Sequence, residues 1–213
     1  MHMATSACVT RSHPTDSFCR VQPIPELVTL NDIIEYDLDC NPINLRGRAQ
    51  HTERPIHGAI YRRRPDVLSV VHNHACEVIP FTVAQGVKLK PILHTASGIG
   101  CVIPVWDIRQ QFGDTNLLVT TIAHGDDLAQ ALGPNRVVLM RGHGSAVAGI
   151  SIQDAVHTAV YLKINAHIQT EAMRMASDVV YLSEGEIAEM QKSAATGHTR
   201  AWEYWARRAG NTN

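Results

Sequence analysis

The chain has 213 residues, 45% of them hydrophobic and 18% charged, with a formal net charge of −1. That length buries one sizeable core but not two large domains. A near-neutral balance without a Lys/Arg-rich run gives nucleic acid and anionic membrane surfaces little to hold, so the expected partner is a small molecule.

No apolar stretch approaches the roughly 20 residues that span a bilayer, and the start lacks the charged and apolar regions of a signal peptide. The five cysteines are scattered without a Cys-x-x-Cys, which points to free thiols in a reducing compartment, the cytoplasm. Residues 1–25 mix polar residues with prolines. Arg11 is a cation there, suited to a carboxylate or simply solvated. Leu27 to Asp39 carries a helix-start signal, Thr29 or Asn31 before Asp32-Ile-Ile, then a short strand-like piece into the turn Asp39-Cys-Asn-Pro42.

From Thr52 to Arg64, Ile56, Ile60 and Tyr61 give one apolar side of a helix. Thr52 is its expected N-cap, and Pro55 is tolerated in the first turn. Glu53 would project from the positive end of the helix dipole, with His57 four residues on and on the same side. Arg62 to Arg64 read as a solvated helix end, and Pro65-Asp66 breaks the helix. The apolar run that follows ends in His72 and His74. Side chains two apart on a strand share a face, so these imidazoles can close on one ion, or can simply be two hydrogen-bonded rings.

Residues 76–85 read as a helix ending at Gly86. His94 precedes the small-residue loop Thr95 to Gly100, where it is either a substrate contact or a surface histidine. Val102 to Val105 and Asn116 to Thr120 read as strands, and His124 to Gly133 as a helix. Val137-Val-Leu-Met140 is a buried strand leading into Arg141-Gly-His-Gly144. A third histidine from that strand, His143, would complete a three-histidine set with an open position, the arrangement of catalytic metal sites. Its flanking glycines allow close approach. Ala146 to Gly149 is a strand, Ser151 caps a long helix to about Ala176, and His157 and His167 on it are packing residues. Val179 to Leu182 is a last strand, Ser183 opens a capping box, and residues 196–213 form a tail. Trp202, Tyr204 and Trp205 in that tail are expected to dock on the body or on a neighbouring subunit.

Taken together and in this order, Glu53-Arg-Pro-Ile-His57, Ile60-Tyr61, Arg64-Pro-Asp-Val67, Val70-Val-His-Asn-His74 and Gly142-His-Gly144 resemble the class II aldolase and adducin family. The similarity runs from about Ser6 to about Met190. It implies that His72, His74 and His143 bind a divalent metal and that Glu53 is the catalytic acid/base. It also implies an α/β fold, a single three-layer α/β/α domain over 1–213 with a central, mostly antiparallel sheet, assembled as a homotetramer with sites near subunit interfaces. Members usually carry further helices before this point, so the N-terminal part reads as shortened. Neutral imidazoles accept zinc, manganese, cobalt or iron alike.

Within that family, sugar-phosphate aldolases cradle phosphate with a Gly-Asn-x-Ser turn, whereas the corresponding stretch here, Ser6-Ala-Cys-Val-Thr-Arg11, has no glycine. His57-Gly-Ala-Ile-Tyr61, Val78-Ile-Pro-Phe81, Pro104-Val-Trp-Asp-Ile-Arg109 and Leu139-Met-Arg-Gly-His143 look more like the branch of metal-dependent decarboxylases of hydroxylated aromatic and pyridine carboxylic acids. The resemblance thus implies a carbon–carbon lyase. In such a site desolvation is expected to raise the pKa of Glu53, Arg11 or Arg141 is expected to grip a second carboxylate, and His94, by its resemblance to a position near the family's site, is a further substrate contact. Its rivals are an aldolase cleaving a non-phosphorylated hydroxy-keto acid, a ferrous oxygenase on the same fold, and an adducin-like module without activity.

Overall fold

The computed structural model describes residues 5–10, 16–20 and 29–210, excepting the side chains of 5–10, 16–20, 30 and 193–198. In chain order the elements are β1 (Thr5–Thr10), β2 (Asp16–Arg20), β3 (Ile33–Asp37), α1 (Arg54–Arg63), β4 (Ser69–Asn73), α2 (Pro80–Val83), β5 (Val105–Trp106), α3 (Arg109–Phe112), α4 (Ile122–Leu132), β6 (Val137–Met140), β7 (Gly144–Gly149), α5 (Ile152–Met175) and α6 (Glu184–Arg208). The main sheet has the order β1-β4-β7-β6-β5, and β2 pairs with β3 separately. Every pairing is antiparallel except β5 with β6, so the sheet is mostly antiparallel as expected.

The three layers follow from the two-residue period of the strands. Val70, Val138, Met140, Ala146 and Ala148 face one core, which α1 and α4 close with Ile56, Ile60, Leu128 and Leu132. Their neighbours Val71, Val137, Leu139 and Val147 face a second core, closed by Ala155, Leu162 and Ala166 of α5. A sheet covered on both faces needs continuous apolar strands, which is why Val137–Met140 is buried throughout.

Thr52 does not cap α1. Glu53 occupies the N-cap position and makes no side-chain cap bond, because its carboxylate is engaged elsewhere. The helix expected over 76–85 shrinks to α2, and the strand over 102–105 to β5. No strand forms over 116–120 or 179–182. At 116–120, Leu117 adopts φ 67°, the N–H groups of Leu117 and Leu118 bond to the nearby side chains of Thr115 and Asn116, and Leu117 O and Val119 N–H bond to His143 and Glu53 rather than to a ladder. The tail expected at 196–213 is largely the continuation of α6, whose Trp205 lies 6.0 Å from His157 and 6.4 Å from Tyr161 between ring centres. The expected docking of the aromatic end on the body is therefore met by Trp205.

Helix α5 also substitutes for a strand. Asn165 Oδ1 accepts from Ile92 N–H at 2.9 Å while its Nδ2 donates to Lys90 O at 2.8 Å. One turn later Gln169 Oε1 accepts from Lys90 N–H at 2.9 Å and its Nε2 donates to Lys88 O at 2.8 Å.

Candidate metal centre

Strand β4 carries His72 on the face shared with Val70, fully buried, and His74 follows just past the strand's end, half-buried. The turn between β6 and β7 supplies His143. Two glycines let this turn close on β4. Gly142 sits at φ 64°, where L side chains are strained, and a Cβ on Gly144 would lie 2.2 Å from Asn73 O. Of the glycines flanking His143, Gly144 thus serves the close approach that the sequence implied, and Gly142 serves the backbone conformation of the turn.

The tautomers of two of these rings follow from their partners. His72 Nδ1 lies 3.0 Å from Ser145 O, and His143 Nδ1 lies 3.0 Å from Leu117 O. A carbonyl only accepts, so each Nδ1 is the donor and each neutral ring turns a bare Nε2 lone pair inward. His74 Nε2 is 3.0 Å from both of those Nε2 atoms and can offer at most one proton between them. Converging lone pairs repel unless a cation sits among them, and imidazoles tied back to carbonyls through their other nitrogen are the usual holders of such a cation. The donor chemistry therefore fits a divalent metal. Burial lowers the pKa of His74 to about 4, which keeps it a free base at neutral pH.

Glu53 stands beside the three rings. Its ligand oxygen and the three histidine nitrogens all lie within 4.8 Å of one another. Oε1 accepts from Val119 N–H at 3.0 Å, and Oε2 is 3.4 Å from Nε2 of both His72 and His143. Burial would raise its pKa, but hydrogen bonds and positive charge from His143 and His72, present when their Nε2 atoms carry a proton, outweigh burial and hold the carboxyl well below its ordinary range. This corrects the expectation of a raised pKa: the site keeps Glu53 ionised at rest.

The structure brings Glu53, His72, His74 and His143 together. Arg141, two residues before His143, pairs through Nε with Asp107 Oδ1 at 2.7 Å and is partly exposed. His94 is exposed at the start of a 3-10 turn over His94–Ile99 and makes no hydrogen bond to the other described residues. Arg11 lies outside the described residues. Sequence reasoning missed the backbone groups that orient the site, the carbonyls of Leu117 and Ser145 and the N–H of Val119, since any residue type supplies them. The sequence carried no signal for them, since the apolar stretch Asn116 to Thr120 reads as a strand.

A family model described as the Class II Aldolase and Adducin N-terminal domain matches residues 20–170. A protein from Talaromyces stipitatus named decarboxylase tropJ is 33% identical over 198 residues, covering 83% of this chain and 74% of its own. The 3,4-dihydroxyphthalate decarboxylase of Arthrobacter keyseri is 27% identical over 179 residues, covering 82% of this chain and 71% of its own. Among solved structures, an aldolase II superfamily protein from Pseudomonas syringae aligns with a TM-score of 0.78 at 19% identity, covering 100% of this chain and 86% of that one. At that identity the likeness speaks for the fold.

Proposed function

Because the chain belongs to the class II aldolase and adducin family, we propose that it is a metal-dependent carbon–carbon lyase that decarboxylates a hydroxylated aromatic or heteroaromatic carboxylic acid. The observation that carries this reading is the convergence of three imidazole Nε2 atoms with an ionised carboxylate 3.4 Å from two of them. Two relatives named as decarboxylases, each aligned over more than four-fifths of this chain, support the reaction type. In this reading His72, His74 and His143 hold zinc, manganese, cobalt or iron. The ion, when bound, supplies Lewis acidity toward the substrate's ring oxygen and adjacent carboxylate.

Loss of CO2 from an sp2 carbon leaves an electron pair that has to be delocalised and then protonated. Glu53, ionised at rest and steadied by Val119 N–H, takes the proton of the ring hydroxyl and returns it to the ring carbon as CO2 departs. Arg141, ion-paired with Asp107, offers its guanidinium to a second carboxylate, with Arg11 and His94 as further substrate contacts. We place the protein in the cytoplasm as a single-domain subunit of a homotetramer; no helix among the described residues is long and apolar enough to cross a membrane.

The test is an anaerobic screen of hydroxylated aromatic dicarboxylic acids with protein reloaded with manganese, zinc or ferrous iron. The expected result is metal-dependent CO2 release. Bound metal without CO2 release, together with cleavage of hydroxy-keto acids or consumption of O2, would overturn it.

A further inference from the structure

The turn that delivers His143 is held by a hydroxyl that takes no part in the chemistry above. His143 N–H returns to Met140 O at 3.0 Å and closes a four-residue turn. Gly142, third in that turn, sits at φ 64°, whereas Arg141 before it lies outside the positive-φ region. That pair of signs belongs to a type II turn, whose central peptide stands about half a rotation away from that of the commoner type I. Glycine in third place permits either orientation, so the turn's own sequence leaves both open. The choice is made from outside. Gly142 N–H, the donor of that central peptide, bonds to Thr82 Oγ1 at 2.9 Å across 60 residues of sequence.

Thr82 is set up to accept that bond. It is 5% exposed, and its hydroxyl donates its single proton to Ile79 O at 2.7 Å, three residues back at the start of α2. What it turns toward Gly142 is therefore a lone pair. Val78 and Phe81, buried in the second core, anchor this short segment. Successive backbone bonds tie it together, Val78 N–H to Ala75 O, Phe81 N–H to Val78 O and Thr82 N–H to Ile79 O. The stretch that begins at His74 thus also grips the turn that supplies His143. Valine would fill the space of Thr82 equally well, so the hydroxyl is what threonine adds there.

We infer that Thr82 is a positioning residue of the metal centre: its hydroxyl fixes the orientation of the Arg141–Gly142 peptide and, through it, the placement of His143. The inference rests on the reading of His72, His74 and His143 as metal ligands. His143 is tied in two further ways, by its ring to Leu117 O and by the ladder in which Gly144 stands opposite Met140. Neither acts on the central peptide of the turn. Without the hydroxyl that peptide has two orientations open to it, and the residue that follows inherits the spread. A ligand set tuned to one ion holds it less tightly when one member is no longer fixed.

The experiment compares the full chain with Thr82→Val, which keeps the shape and removes the hydroxyl, and with Thr82→Ser, which keeps the hydroxyl. Zinc affinity is measured by competition with a chromogenic chelator, and thermal unfolding of the chelated proteins is followed alongside. Loss of a group that orients a metal ligand costs roughly 10–100-fold in affinity; Thr82 acts through the backbone, so Thr82→Val should sit at the lower end, about tenfold. Thr82→Ser should bind zinc like the wild type, even where its missing methyl lowers the melting temperature. A Thr82→Val protein that binds zinc like the wild type overturns the inference, whatever its melting temperature. So does a Thr82→Ser protein as weak as Thr82→Val, the mark of a packing role. A wild type that takes up no zinc overturns the metal reading and the inference with it. Amide exchange on the chelated proteins gives a check free of metal. Gly142 is exposed, yet its N–H should be protected in the wild type and exchange roughly two- to tenfold faster in Thr82→Val, the ratio for one net hydrogen bond. Exchange in the wild type at the rate of an unbonded amide, or at one rate in both proteins, also refutes the hold.

Discussion

Replacing Gly144 with alanine separates the geometric demand of the metal centre from its chemistry. A Cβ there would lie 2.2 Å from Asn73 O and 3.0 Å from His74 Cδ2. The first neighbour is backbone and cannot rotate away, so the β6–β7 turn and the end of β4 have to part by about 1 Å, a displacement large enough to cost on the order of a hundredfold in rate when it falls in a catalytic constellation. Overpacking of this kind costs about 1–3 kcal/mol, and for a chain of this size each kcal/mol lowers the melting temperature by roughly 2–4 °C. The upper part of that range applies, for a fall of roughly 4–12 °C. The same opening moves His143 off the other two rings. A ligand at a hundred times its Kd stabilises by about 2.7 kcal/mol, and Gly144→Ala should lose that increment as well. Thermal unfolding with and without chelator, together with elemental analysis, reads both effects. Gly142→Ala is the control. Its φ of 64° makes alanine cost about 1–2 kcal/mol, but its nearest contact, Leu117 Cδ1 at 3.5 Å, is ordinary, so metal should stay bound. A Gly144→Ala protein that melts with the wild type and carries stoichiometric metal would refute the close-approach argument.

Glu53→Gln keeps the shape and the bond from Val119 N–H, so metal content should hold while kcat falls by about 10²–10⁴; full turnover would remove Glu53 from its role. His143→Ala should abolish stoichiometric metal binding and the difference in melting temperature between metal-loaded and chelated protein, as measured by differential scanning fluorimetry. Acid should weaken the metal-free fold in a defined window. Burial holds the pKa of His51 and His74 at about 4 against an ordinary 6.5. The unfolded chain therefore binds more protons between those values, and stability should fall as pH drops from about 6.5 to about 4. A melting temperature flat across that interval, after chelation, would show that the rings are not held neutral.

The parts of this protein that were legible in its sequence are those whose signal is local. Val137–Met140 is a short apolar run, His72 and His74 have strand spacing, and the Ser183 cap with Glu186 is a local motif. Each is decided by residues a few positions apart. What could not be read depends on pairs far apart in the chain. Glu53 bonds to Val119 N–H across 66 residues, and His143 to Leu117 O across 26. Those two bonds commit the backbone of 117–119 to the site, which is why apolar Leu117, Leu118 and Val119 form no strand and why Thr52 is not the cap of α1. The ionisation of Glu53 was misjudged for the same reason: burial is foreseeable from an apolar context, but the opposing effect of two imidazoles is fixed by the folded arrangement.

The paired amides of Asn165 and Gln169 have a bearing on which changes in length the chain tolerates. Two residues of extended chain advance about 6.6–6.8 Å and one helical turn about 5.4 Å, close enough for one amide per turn to meet every second residue of 88–92. The helix thus acts as a ruler laid against an extended segment. Its marks are matched to even steps along that segment, so substitution at Lys88 or Lys90, whose backbone alone is used, leaves the match intact. Removal of a single residue puts both amides out of phase together and leaves polar groups beside the second core without partners. Homologues that differ in length here should gain or lose residues in pairs, or change Asn165 and Gln169 in the same step.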